Sequence, residues 1–188
     1  SLPYSRVWLI LPGGPLIPIR DVGVVLALSL VGAATHFLPH PMGVSTVGAI
    51  GMLAVAYAPR ALAPLPVLAT TLVVDLALGH AYGVLAMSIV YAAHLAAALA
   101  AMPLLRCVRA LRVVGAAGTS ATVFYLISNL QPLLAGYYPA TAEGIVVCYI
   151  NGLPYLARGL AANLVYGGLA FAAIESARRF HAHRHATA

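Results

Sequence analysis

The chain contains no lysine, and its ten basic residues are all arginine. Nine of them, Arg6, Arg20, Arg60, Arg106, Arg109, Arg112, Arg178, Arg179 and Arg184, fall in alternate gaps between long apolar stretches. The remaining gaps hold His40, His80, tyrosines and prolines, with Arg158 as the one arginine among them. This is the positive-inside arrangement of a polytopic membrane protein. It fixes which loops share a side, and so which polar residues can meet.

Composition agrees. The chain is 62% hydrophobic and 7% charged, whereas soluble domains carry roughly 25% charged residues. A soluble fold of 188 residues could not hide so much apolar surface. A span needs about 20 residues, so the expected fold is all-α, with about six transmembrane helices in one bundle and both termini cytoplasmic. The net charge of +6 is spread over short segments without aromatic interleaving, which fits orientation in a lipid bilayer and excludes a nucleic-acid partner.

Three regions are expected: an irregular cytoplasmic arm over 1–20, a six-helix domain over 21–177 and a polar tail over 178–188. The arm holds Pro3, Pro12, Pro15 and Pro18 with Gly13 and Gly14, too broken for a signal-peptide core; Trp8 is placed at the interface. The spans read as about Asp21 to Leu38, Val44 to Ala58, Ala61 to Leu78, Gly83 to Leu105, Val113 to Leu130 and Pro154 to Ala177. Pro64 and Pro66 fall in first turns, where proline is tolerated. The apolar piece Ala142 to Ile150 reads as a re-entrant or interfacial helix on the outer face. Cys107 lies beside the inner arginine cluster and Cys148 in the outer half, so the two are not expected to pair.

The outer side collects the polar residues. Asp75 is the only acidic residue in the second to fifth spans; a carboxylate at mid-bilayer costs roughly 2.5–3.5 kcal/mol. It either snorkels and caps a neighbour or partners a histidine in a polar cavity. His36 and His40 end the first span and His80 follows the third; with Asp75 and Cys148 they contain ligand types for a metal, but no H-E-x-x-H or C-x-x-C spacing supports one. Asn129 and Gln131 close the fifth span at the same level, and Tyr82, Tyr137, Tyr138, Tyr149 and Tyr155 also fall outside. An aromatic belt explains most of the tyrosines. A roofed, outward-facing pocket explains why the outer loops hold polar and aromatic residues while the inner ones hold arginine. Arg158, one turn into the sixth span, pairs with Asp75 or Glu143 or binds an anionic substrate group. His94 with Tyr91 in the fourth span reads as a buried, hydrogen-bonded histidine. Gly159, Asn163 and Gly167 recur at the small-residue spacing of packed helices. There is no nucleotide-binding, kinase or hydrolase signature, and no internal repeat of the inverted transporter kind.

Certain segments carry a resemblance. They are Leu38-Pro39-His40-Pro41 with Val47-Gly48-Ala49, Asp75-Leu76 with Gly79-His80 and Val90-Tyr91, Tyr138-Pro139-Ala140-Thr141-Ala142-Glu143-Gly144, Cys148-Tyr149, Leu153-Pro154-Tyr155 and Leu164-Val165-Tyr166. Together they resemble a family of small bacterial membrane proteins over roughly residues 22 to 177. That family is similar in turn to the substrate-binding S-components of energy-coupling factor transporters. The resemblance implies a six-helix bundle in the bacterial cytoplasmic (inner) membrane, with an outer cavity roofed by the first, third and fifth loops. It also implies a vitamin or metal-bearing ligand, and a coupling membrane subunit with paired cytoplasmic ATPases as partners. The chain departs from the family at Met42, Gly43, Val44, Ser45 and Thr46, and at His36, where an arginine is usual. These departures fall in the expected pocket.

Three functions compete. The favoured one is a non-enzymatic membrane protein that captures a small cofactor, vitamin or metal-bearing compound for uptake, with a cavity lined by His36, His40, Asp75, His80, Asn129 and Tyr155 and with Arg158 as a further contact. The second is a non-catalytic accessory subunit of a larger membrane complex, in which apolar packing replaces the cavity. The third is a membrane enzyme or haem protein with His94 or the outer histidines as axial ligands. No cofactor is specified by the sequence.

Overall fold

The structure, a computed structural model, describes residues 8–9, 17–37, 39, 43–79 and 83–186. The described residues are helical apart from one antiparallel pair of two-residue strands, β1 (Trp8–Leu9) and β2 (Ile17–Pro18). The expected irregular arm falls largely outside the described residues. The helices are α1 (Ile19–His36), α2 (Val47–Tyr57), α3 (Pro64–Leu78), α4 (Val84–Leu105), α5 (Ala110–Ser128), α6 (Leu130–Leu134), α7 (Ala142–Ala162) and α8 (Gly168–Ala186). A π-helical turn, Asn163–Gly167, joins α7 to α8.

The centre of the bundle is α2. Its sequence is apolar all round, which marks a helix enclosed by others, and Val47, Ala49, Ile50, Gly51, Met52, Leu53 and Ala54 are all buried. It touches α1, α3, α4, α5, α7 and the π turn. The most extensive interface is the α4–α5 hairpin. There Ala93, Ala97, Ala98 and Ala101 of α4 and Ala116, Ala117 and Ala121 of α5 are buried. Small side chains let the two backbones approach closely where lipid offers no hydrophobic drive. One core cluster joins Met52 and Leu53 to Leu105, Val113 and Phe171 at the end where α2, α4 and α8 finish their inward run.

Helix ends follow local chemistry. Pro64 opens α3, where its missing N–H costs nothing. Gly79 closes it with φ of 66°, a left-handed cap that suits glycine. Thr141 caps α7, its Oγ1 accepting from the Gly144 N–H at 3.1 Å.

Two expectations are revised. Ala142 to Ile150 is not a separate re-entrant piece: α7, the π turn and α8 form one apolar helix, Ala142–Phe180, with Pro154 inside it. Nor are there, among the described residues, six helices of spanning length. Three are long and apolar enough to cross a membrane, Val84–Leu105, Ala110–Leu134 and Ala142–Phe180. Val22–Thr35, Val47–Tyr57 and Pro64–Ala77 are apolar but shorter. The 11 residues of α2 rise only about 16 Å at 1.5 Å each, against a hydrocarbon core of about 30 Å.

Helix order places Arg60, Arg106, Arg109, Arg112, Arg178 and Arg179 at one end of the bundle. At that end the Tyr57 hydroxyl donates to Glu175 Oε1 at 2.8 Å, and Arg178 lies 4.6 Å over the Tyr57 ring and 3.3 Å from the same carboxylate oxygen. This ties the end of α2 to α8.

Candidate functional site

The opposite end of α2 opens into a cavity of about 630 Å³, within the 300–1,000 Å³ range of small-molecule sites. Four walls make it. The coil before α2 gives Gly43, Val44 and Ser45, and the first turn of α2 gives Gly48. Helix α4 gives His94 and Ala97. Helix α5 gives Ser120, Ala121, Phe124, Tyr125 and Ser128, followed by Asn129. Helix α7 gives Tyr155, Leu156 and Gly159, and the π turn gives Asn163.

The spacing explains the geometry. Ser120, Phe124 and Ser128 lie four residues apart, as do Tyr155, Gly159 and Asn163, so each set forms one helical stripe. A π turn inserts an extra residue and re-aims the helix face; here Asn163 opens that turn. The Asn163 side chain is buried, with Nδ2 donating to Ala117 O at 3.4 Å and Oδ1 pressed over Gly48, where no side chain fits without displacing it. The chain enters α2 through Gly43, whose φ of 84° is a left-handed conformation. A Cβ there would stand 2.8 Å from Tyr155 Cδ1, so Gly43 is constrained by both its backbone and the ring above it.

Polar groups in the wall are partly used. Tyr125 donates to Tyr149 O at 2.6 Å, and Asn129 Nδ2 donates to Tyr125 O at 2.7 Å. Cys148 Sγ lies 3.6 Å from Asn129 O, holding α7 to the end of α5. His94 stacks on Phe124 with ring centroids 4.3 Å apart. Ser120 is 1% exposed, and among the described residues its hydroxyl has no hydrogen-bond partner. A buried hydroxyl left unbonded costs about 1–3 kcal/mol, so Ser120 faces the cavity as an unmet polar group.

The seven residues singled out by sequence divide into four sets. Asn129 and Tyr155 line the cavity. Arg158 stands beside it, its guanidinium 5.8 Å from the Tyr155 ring centroid. Asp75 belongs to another contact: Tyr91 Oη donates to its Oδ2 at 2.9 Å, joining α3 to α4. His40 and His80, and the side chain of His36, lie outside the described residues. Among the described residues, no three metal-ligating side chains gather, and both cysteines are free, Cys107 exposed and Cys148 buried. The sequence reading took Gly159 and Asn163 as packing residues and His94 as a buried, hydrogen-bonded histidine or, in the third function, an axial ligand, and passed over Ser120, Phe124 and Ser128. The signal for them was the four-residue recurrence of polar and aromatic side chains on otherwise apolar helices.

No curated protein and no solved structure matches the chain. A family of unknown function, DUF6580, matches residues 18–185, and with nearly its whole length covered the chain belongs to that family.

Proposed function

We propose that this protein is a multi-pass membrane protein that captures a small molecule in the cavity above α2 and passes it on for uptake. The cavity carries the reading: a void of about 630 Å³ with aromatic walls and an unbonded buried hydroxyl is costly to keep in a packed bundle and serves a ligand. An accessory subunit that had lost its site should instead be filled there by apolar side chains. The wall is apolar with a few convergent polar groups, the composition of ligand sites, and no residue set in it suggests bond-making chemistry.

In this reading the arginine-rich end faces the cytoplasm and the cavity opens outward. The chain crosses six times, with the shorter α1, α2 and α3 accommodated by tilt, local thinning of the bilayer and burial of α2 among its neighbours. The location is the bacterial cytoplasmic membrane. The resemblance of the chain's sequence motifs to S-components of energy-coupling factor transporters extends the proposal to partners: a coupling membrane subunit and cytoplasmic ATPases.

The test is purification from native membranes in mild detergent, followed by mass spectrometry of co-purifying small molecules and chains. A near-stoichiometric small molecule, lost in Gly159→Leu, is expected. Preparations that never carry one, and always carry the same large membrane partners, overturn the proposal in favour of a structural subunit.

A further inference from the structure

The chemistry of the wall narrows what it holds. Among the described residues, none that lines the cavity is an aspartate, glutamate or arginine. Arg158 packs against Tyr155 and approaches Gly43 from the flank, 3.5 Å from where a Cβ on Gly43 would stand, and is not part of the wall. Asp75 is engaged with Tyr91 between α3 and α4. A formal charge moved from water into such a space meets no counter-charge, and the desolvation cost is steep without one. The cavity therefore selects against ions.

Its shape-giving residues are rings. His94 and Phe124 stack at an interplanar angle of 30°, and both line the void. Tyr155 bounds it from α7. Aromatic walls favour offset or edge contacts with another ring. The polar complement is small and neutral: the Ser120 hydroxyl, unbonded among the described residues and 1% exposed, and the Asn163 amide, 4% exposed, whose bond to Ala117 O is long at 3.4 Å. Both sit deep, where α5 meets the π turn.

We propose that the ligand is an uncharged, planar ring compound with a carboxamide-like polar edge, its ring against the His94–Phe124 stack and its polar edge at Ser120 and Asn163. This rests on the capture reading and specifies it.

The experiment uses three isosteric probes, 2-naphthamide, 2-naphthoate and 2-naphthylmethylammonium, with the full chain in lipid nanodiscs at neutral pH. Binding is read by saturation-transfer NMR and by quenching of probe fluorescence. Partition into lipid is removed by subtracting Gly159→Leu. Gly159 lines the cavity, and a Cβ there meets nothing within 4 Å, so leucine fills the void and improves helix propensity. Ser128→Leu, on the opposite wall, is the second filler should the first not fold.

The expected result is filler-sensitive binding of 2-naphthamide, at least about tenfold tighter than either ion, and weakened about fivefold by Ser120→Ala. Filler-sensitive binding of an ion as tight as that of the amide overturns the proposal and leaves capture standing. Unchanged amide affinity in Ser120→Ala overturns the assigned orientation. If no probe distinguishes the wild type from either filler, the capture reading falls and this inference with it.

Discussion

Replacing Gly48 with alanine tests the close contact on which the cavity floor depends. The added methyl would sit 3.0 Å from both Cγ and Nδ2 of Asn163, and nearer still to Oδ1. Asn163 is 4% exposed and cannot swing into water. Either α2 and the π turn separate, at an overpacking cost of about 1–3 kcal/mol, or the amide turns and abandons Ala117 O, leaving buried polar groups unbonded at about 1–3 kcal/mol. Alanine recovers about 1 kcal/mol of helix propensity over glycine. If both costs are incurred near the middle of their ranges, the net loss is about 3 kcal/mol. By the scaling of soluble chains of this size, that lowers Tm by roughly 5–15 °C. Because Cys148 is buried, a thiol-reactive dye in a Cys107→Ser background reports unfolding directly. The clash requires both partners, so Asn163→Ala should absorb most of the penalty: the double variant should melt close to Asn163→Ala alone. Additive effects would show that Gly48 and Asn163 do not share the contact. A neutral or stabilising Gly48→Ala would refute the approach of the two segments outright.

Gly159→Ala should do the reverse, raising stability by about 0.5–1 kcal/mol in the same melt, because nothing lies within 4 Å of its Cβ. Tyr57→Phe removes the 2.8 Å hydrogen bond to Glu175 but keeps a ring under Arg178, so a loss of about 1 kcal/mol is expected, read by the same melt; Tyr57→Ala should lose clearly more. Tyr91→Phe leaves the Asp75 carboxylate without its hydroxyl donor on an apolar helix and should cost about 1–2 kcal/mol, largely cancelled by adding Asp75→Leu. Cys107, exposed beside Arg106, should react with a membrane-impermeant maleimide only from the cytoplasmic side in sealed vesicles; labelling from the outside would invert the topology.

The sequence made the helical content legible, because it is written in residue type and spacing. Burial within the bundle was not. A hydropathy profile cannot separate an apolar helix facing lipid from one enclosed by protein, and α2 is the enclosed kind: Met52 and Ala54 are 0% exposed. Pro154 was read as a helix start because proline usually sits there. In an apolar setting, neighbouring helices and local adjustments re-satisfy the freed backbone groups, so the helix runs on from Ala142 to Phe180. At the site, loop position alone brought out Asn129 and Tyr155. The pairing of Asp75 with Tyr91 was out of reach, since it depends on the register of α3 against α4. Ser120 was passed over, and Asn163 was read only as part of a packing stripe, because an isolated serine or asparagine in a span ordinarily bonds its own helix or its neighbour.

The cavity follows from a mismatch of helix lengths. Helix α2 has 11 residues, while α4 has 22 and the apolar run through α5 and α6 has 25. At 1.5 Å per residue the central helix is about 16 Å shorter than α4 beside it, and the column above its first turn must be filled by something else. Among the described residues, the coil there lines the space with Gly43, Val44 and Ser45. The remaining void passes to α4, α5 and α7, whose facing stripes at that level carry hydroxyls, amides and rings in place of the alanines found lower down. Had the column been meant to close, leucines at Ser120, Ser128 and Gly159 would close it. At the other end, where α2 reaches its neighbours in full, Tyr57, Glu175 and Arg178 lock it to α8. A central helix fixed at its Tyr57 end and cut short at the other leaves a gap that is polar on one face and ring-walled on another, and this asymmetry sets the shape of the cavity.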